Sequence, residues 1–188
     1  LFADDARPAE NKLYLIDPTG AIVLEHTKYG GNFLEGTLAG DKVLRTVDTP
    51  AGRLTGVICW DADFVGVMRQ TAQQGVDLLL IGANDWAGVS KIHAEMAVFR
   101  AIENGVALFR QAYDGVSLAT DPYGRLLAEM DHFATTDRTL IAQLPIGAGR
   151  ATIYGMIGDT FGWAALVGFA VLGLVALRGW LRPSANDG

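Results

Sequence analysis

The one thiol in this sequence is the residue best placed for covalent chemistry. Cys59 closes the apolar run Leu54-Thr-Gly-Val-Ile-Cys59 and is followed by Trp60-Asp-Ala-Asp-Phe64, where a strand pattern gives way to a helical one. A side chain at such a turn stands at the carboxyl end of a sheet, where α/β proteins bind their ligands. A thiolate there is favoured by the helix N-terminus and can attack a carbonyl carbon. Read by itself, a single cysteine in an apolar strand is more often a small core residue. Other chemistry is narrowly bounded. One cysteine permits no intrachain disulfide and no Cys-based metal cluster. His26, His93 and His132 lie far apart without His-x-x-x-His spacing, so no metal site is expected. Arg100 and Glu103, three apart on one helical stretch, read as a structural ion pair.

The elements that must position the thiol follow from apolar periodicity. Asn11 to Asp17 alternates, Pro18-Thr-Gly20 turns, and Ala21 to Glu25 returns, which predicts a hairpin. Residues 28–41 are glycine-rich without periodicity and read as a loop. Lys42 to Asp48 reads as a strand, and Leu54 to Cys59 as another. Phe64, Val67, Met68, Thr71 and Ala72 fall on one helical face, ended by Gly75. The unbroken run Val76 to Ile81 suits a strand buried on both faces. A second helix, with Ser90 as its cap, is expected to carry Ile92, Met96, Phe99 and Ile102 and to end at Gly105. Val106 to Arg110, Val116 to Thr120, Leu126 to Met130 and Thr139 to Leu144 are expected to complete the sheet, with a turn at Asp121-Pro-Tyr-Gly124. Alternating strands and helices imply an α/β layered fold.

The last fifth of the chain is different. Thr160 to Leu177 holds no charged residue, and about 18 residues make a helix of roughly 27 Å, enough to cross the hydrocarbon layer. Trp163 and Trp180 stand near its ends, with Asp159 before it and Arg178 and Arg182 after it. A buried core helix or an amphipathic one is the alternative, though apolar residues cover every face here. The expected organisation is a catalytic-type domain over 1–150, a juxtamembrane linker over 151–159, a transmembrane helix over 160–177 and a tail over 178–188. The positive-inside rule puts that tail in the cytoplasm and the domain on the other side. A net charge of −6 argues against phosphate-directed nucleic-acid binding. The chain starts Leu-Phe-Ala-Asp-Asp, with no Met or secretory signal, and reads as trimmed.

Taken together, Gly56-Val-Ile-Cys-Trp-Asp61, Asn84-Asp-Trp86, Arg100-Ala-Ile-Glu-Asn-Gly105 and Thr120-Asp-Pro-Tyr-Gly-Arg125 resemble, in order and spacing, the nitrilase (carbon–nitrogen hydrolase) superfamily. With the membrane tail and the stretch Thr152-Ile-Tyr154 through Phe161-Gly-Trp163, the sequence is most similar to its apolipoprotein N-acyltransferases. The resemblance implies a four-layer αββα sandwich, of which this chain is the C-terminal part, followed by one transmembrane helix. It also implies a Glu–Lys–Cys triad: Cys59 as nucleophile, Lys28 as the lysine after the hairpin, and Glu35 as the accessory glutamate. Trp60 would lend a backbone N–H to an oxyanion, and Asp61 stands where these acyltransferases commonly have Glu. The wording here, Lys28-Tyr-Gly-Gly-Asn-Phe-Leu-Glu35, departs from the family's usual Lys-x-His-x-x-Pro-Phe-Gly-Glu. The triad glutamate would lie several tens of residues before the lysine, where Glu10 and Glu25 do not fit, so the resemblance places it outside this chain.

The expected function is membrane-bound N-acyl transfer at a bacterial inner membrane. An acyl chain would pass from phospholipid to Cys59 as a thioester, then to the amine of a diacylglyceryl lipoprotein, with no cofactor and no metal. A membrane-tethered amidase using the same residues, and an inactive or binding fragment, are the competing readings. A loop surface bearing Phe33, Leu34, Leu38 and Phe133 beside the site would favour the acyltransferase, and a closed polar pocket the amidase.

Overall fold

A computed structural model of the chain describes residues 9–147 and 149–180. The chain divides into two compact units, residues 1–156 and 157–188.

The first unit opens with an antiparallel hairpin, β1 (Lys12–Ile16) and β2 (Ile22–Thr27). The glycine-rich loop after it contains one helical turn, α1 (Asn32–Glu35). A six-stranded mixed sheet follows: β3 (Val47–Thr49), β4 (Gly52–Ile58), β5 (Leu78–Ala83), β6 (Ala107–Ala112), β7 (Val116–Thr120) and β8 (Leu126–Asp131), in that spatial order. Strands β4, β5 and β6 are parallel because helices α2 (Val65–Gln73) and α3 (Ala87–Asn104) carry the chain back between them. The other neighbours are antiparallel. Val57, Leu79, Ile81 and Leu108 of the sheet pack with Val67 and Met68 of α2 and Ala94, Ala97 and Ala101 of α3 to form the core.

The helices depart from the sequence expectation in an informative way. Helix α3 starts at Ala87, with Trp86 as its cap residue, so Ser90 is buried inside the helix rather than capping it. Its inner face is the small and polar one: Ser90, His93, Ala94, Ala97, Ala101 and Asn104 are buried, whereas Ile92, Met96, Phe99 and Ile102 point outward. Small residues let the helix lie close to the sheet, which outweighs side-chain hydrophobicity in choosing the inner face. Gly105 ends the helix at φ 67°, as a left-handed cap.

Three strand expectations also change. In β5, Leu79, Ile81 and Ala83 are buried while the alternate residues are half-covered, so the strand is not equally buried on both faces. Leu13 of β1 lies on Gly56 and Gly82 on that other face: a Cβ at Gly56 would meet Leu13 Cδ2 at 2.5 Å. Of Lys42 to Asp48, only Val47 onward pairs. Lys42 adopts φ 62°, and side chains of Asp41 and Gln70 take the N–H groups of Val43 and Leu44, replacing ladder bonds. Thr139 to Leu144 forms no strand among the described residues, and the sheet ends at β8. The stretch foreseen as a linker over 151–159 contains one helical turn, α4 (Ile153–Ile157). The Thr152 hydroxyl accepts from Gly155 N–H and donates to Glu103 O.

The second unit is built on α5 (Thr160–Trp180), 21 residues long. By length and composition it can cross a membrane, and its side chains are all exposed. It runs three residues past the expected 160–177 and takes in Arg178. Arg182 and the rest of the expected tail from 181 on lie outside the described residues.

Candidate active site

The thiol sits where a parallel strand must turn sharply. β4 ends at Ile58, and Cys59–Asp63 forms a single 3-10 turn before α2. Cys59 itself takes φ 50°, the left-handed region that costs an L-residue about 1–2 kcal/mol. Such strain concentrates at functional positions. Its Sγ lies 4.0 Å from the Asn84 carbonyl oxygen, at the end of β5. Burial pushes the thiol above its ordinary 9.0, against the Asn84 contact and the positive charge of Lys28, which pull it down.

Lys28 follows β2 directly and is only 2% exposed. Its Nζ donates to Glu35 Oε1 in a close ion pair, and Asn11 Nδ2 donates to the other Glu35 oxygen at 3.4 Å. Asn32 ties the loop together, its amide donating to the carbonyls of Lys28 (3.0 Å) and Leu38 (2.7 Å) and to Thr37 Oγ1 (2.9 Å). Helix α1 thus exists to fold Glu35 back over Lys28, although the two are seven residues apart.

One buried carboxylate joins this loop to the thiol's turn. Asp61 Oδ1 accepts the N–H groups of Tyr29 (2.8 Å) and Gly30 (2.7 Å), and Oδ2 those of His26 Nε2 (2.7 Å) and Ile58 (3.1 Å). The residues bound lie within two positions of Lys28 on one stretch of chain and next to Cys59 on the other. Glycine at 30 is required by closeness, since a Cβ there would lie 2.6 Å from the Phe64 ring and 3.1 Å from the Trp60 backbone. At Gly31 a Cβ would lie 2.7 Å from the Trp60 indole, and φ is 76°.

Cys59, Lys28, Glu35 and Trp60 line one cavity of about 440 Å³. Asp61 is fully buried and does not line it. Its wall is mostly apolar, from Leu34, Trp60, Trp86, Val89 and Met96. Leu34 and Trp86 are both about three-quarters exposed, and Phe33 beside Leu34 is 97% exposed. Of the four apolar loop residues foreseen beside the site, Leu34 lines the cavity, Phe33 is next to it, and Leu38 and Phe133 do not line it. Glu10 and Glu25 pair instead with Lys12, at 3.2 and 2.7 Å. Arg100 and Glu103 do pair, at 2.8 Å.

A second polar group on the same cavity escapes sequence reading. Asp85 is buried between His93 Nδ1 (2.8 Å) and Arg110 Nη2 (2.5 Å), and Arg110 also donates to the Val116 carbonyl. Burial works against ionisation of Asp85, but those two bonds outweigh it and hold the carboxyl below its usual range. One ligand atom each of Cys59, Asp85 and His93 lies within 4.8 Å of the other two. Asp63, the last residue of the thiol's turn, approaches His93 Nε2 at 3.6 Å, and burial raises its carboxyl. The motif Asn84-Asp-Trp86 was the available signal, but nothing in the sequence links it to a histidine eight residues on.

Residues 3–154 match the carbon-nitrogen hydrolase family. The chain is 32% identical over 139 residues to the apolipoprotein N-acyltransferase of Geobacter metallireducens, covering 72% of this chain and 26% of that protein. It is 32% identical over 167 residues to that of Rhodopseudomonas palustris (87% and 29%), and 38% identical over 109 residues to apolipoprotein N-acyltransferase 1 of Treponema pallidum (56% and 20%). The chain therefore spans about a quarter of the length of these relatives. Among solved structures it is similar to Nit3 of Saccharomyces cerevisiae, of branch 10 of the nitrilase superfamily, with a TM-score of 0.68 at 19% identity over 84% of this chain and 60% of that one. An amidase from Nesterenkonia sp. AN1 aligns with a TM-score of 0.62 at 22% identity, over 71% and 56%.

Proposed function

This chain belongs to the carbon-nitrogen hydrolase family, and from that premise we propose that it is the catalytic part of a membrane-bound, cysteine-dependent N-acyltransferase for lipoproteins. The observation that carries the reading is the apolar cavity around Cys59. A hydrolase of small amides needs a closed polar pocket, whereas here Leu34, Trp86, Val89 and Met96 offer a hydrocarbon-lined mouth beside the thiol. The relatives' names support lipoproteins as the acceptor class, and α5 supports a membrane setting.

In the first half-reaction the Cys59 sulfur attacks the ester carbonyl of a phospholipid, forming a thioester and releasing the lysophospholipid alcohol. Because burial keeps the thiol protonated at neutral pH, its proton must leave during attack rather than before it. Lys28, held by Glu35 and excluded from water, supplies a fixed positive charge for the developing oxyanion, with the backbone N–H of Trp60 as second donor. Asp61 positions the lysine loop against the nucleophile. In the second half-reaction the lipoprotein's α-amine takes the acyl group, since a thioester is reactive to amines and survives where water is scarce. No metal or cofactor enters either step. We place the protein in the bacterial inner membrane, with this domain on the external side and the C-terminus cytoplasmic.

The test is mass spectrometry of the protein, purified from its native membrane, after incubation with a phospholipid donor. An acyl adduct on Cys59 is expected, with none in Cys59→Ser and no N-acylated lipopeptide from either Cys59→Ser or Cys59→Ala. A Cys59→Ala protein that still acylates a lipopeptide would refute the mechanism.

A further inference from the structure

Asp61 joins the lysine loop to the nucleophile's turn, and the N–H groups of Tyr29, Gly30 and Ile58 that hold it belong to the backbone. The remaining donor is a side chain, His26 Nε2, at 2.7 Å. His26 and Lys28 stand two residues apart at the end of β2. The Lys28 N–H still donates to the Asn11 carbonyl at 2.8 Å, so the extended backbone runs through both. Residues two apart on such a backbone share a face. Leu24, His26 and Lys28 are accordingly all buried, while Val23 and Glu25 between them are exposed. The imidazole and the ammonium therefore enter the interior from one face of the strand, the first ending on Asp61 and the second on Glu35. His26 Nδ1 is buried without a partner among the described residues, so Nε2 is the ring atom that connects this side chain to the site. Without that donor, a carboxylate excluded from water is left under-satisfied. It can turn about its own side-chain bond or take up a proton, and either withdraws an acceptor from the lysine loop.

We propose that His26 is a positioning residue for Lys28: its Nε2–H fixes the Asp61 carboxylate, and that carboxylate keeps the lysine loop, with its ammonium, against the turn that carries Cys59. His26 does not line the cavity, so it acts through Asp61 and not on a substrate. The effect on acylation rate rests on the acyl-transfer reading above. The effect on the thiol does not, because the Lys28 charge favours the thiolate whatever the substrate is.

The experiment reads the thiol and the acylation step separately, in protein purified from its native membrane. Gln carries its amide N–H close to where the imidazole carries Nε2, whereas Asn carries it close to where the unpartnered Nδ1 stands. In His26→Asn the pH midpoint of Cys59 alkylation by iodoacetamide is expected to rise by about one pH unit, as the cation moves away. Acylation of Cys59 by a phospholipid donor is followed by mass spectrometry. Its maximal rate should fall on the order of 10²-fold, the scale of losing one oxyanion donor, with little change in half-saturation. His26→Gln should rescue both readouts. In a Lys28→Met background His26→Asn should add nothing to the midpoint, because no charge is left to position. The Asp85 and Arg110 charges that also act on the thiol are the same in every variant. An equal shift in both backgrounds overturns the proposal, as does a His26→Asn protein indistinguishable from the unmutated one. If His26→Gln falls as far as His26→Asn, or His26→Asn does not fold, the residue serves packing alone and the proposal is wrong. Absence of any Cys59 adduct in the unmutated protein removes the acyl-transfer reading, and the alkylation midpoints still decide whether His26 positions Lys28.

Discussion

Cys59 combines three properties that pull in different directions: a left-handed backbone, partial burial and a nearby cation. Since burial dominates, the thiol's folded pKa lies above the usual 9.0, and the thiolate fraction grows only as pH rises past that value. Alkylation of Cys59 by iodoacetamide should therefore keep accelerating beyond pH 9, with no plateau near neutrality. Removing the Lys28 charge in Lys28→Met should push the midpoint higher still, and a downward shift would remove Lys28 from the thiol's electrostatics. The backbone offers a separate check. In Cys59→Gly the φ of 50° is no longer costly, so this variant should be more stable than Cys59→Ala by about 1 kcal/mol in a thermal melt. At this scale the sequence was most legible where a residue type is rare. A single cysteine before Trp60-Asp61 invited inspection at once, and Lys28 and Glu35 followed from resemblance. His93, Asp85 and Asp63 did not, because their relation is created by α3 packing against the thiol's turn and against β6 and β7, and no spacing rule connects them.

Lys28 and Cys59 belong to separate elements, and the link between them is a set of hydrogen bonds to Asp61. Bonds to an ionised acceptor are worth about 1.5–3 kcal/mol each, and their backbone donors would be left buried and unmet. Asp61→Asn replaces one acceptor oxygen by an amide that cannot accept, so the lysine loop should come away from the thiol's turn. Trypsin reports this directly, because a buried Lys28 resists cleavage. Cleavage after Lys28 should be faster by tenfold or more in Asp61→Asn and in Gly30→Ala, where the added methyl meets Phe64 and the Trp60 backbone. Equal rates in all three proteins would mean that the clamp does not hold the loop. Elements were legible where pattern and packing agree, as in the hairpin, β4, α2 and the turn at Asp121–Gly124, whose Asp121 Oδ1 accepts from Tyr123 and Arg125 N–H. They were misread where apolar residues face outward on α3, and where side chains of Asp41 and Gln70 substitute for a strand partner after Lys42.

At the scale of the whole molecule, charge and hydropathy are segregated along the chain. Nearly all ionisable residues precede Thr160, whereas α5 offers 21 residues whose side chains are all exposed, among them Phe161, Leu166, Phe169, Leu172 and Leu174. Each buried CH₂ is worth about 0.8 kcal/mol, so a surface of this kind does not stay in water. Its length, roughly 32 Å at 1.5 Å per residue, matches the hydrocarbon layer, and Trp163 and Trp180 stand where interfacial indoles are favoured. The charges at its two ends differ: Asp159 precedes the helix, Arg178 lies in its last turn and Arg182 follows it in sequence. Because the rule counts Lys and Arg close to the ends of a span, the arginine side should remain in the cytoplasm. A cytoplasm-dependent fluorescent reporter fused after Gly188 should be bright, and a reporter active only outside the membrane should be silent at the same position. Changing both arginines to Glu should weaken that preference, since the bias then loses its source. An external signal from the unmutated fusion would reverse the orientation of α5, and with it the side of the membrane on which an acyl donor could be met.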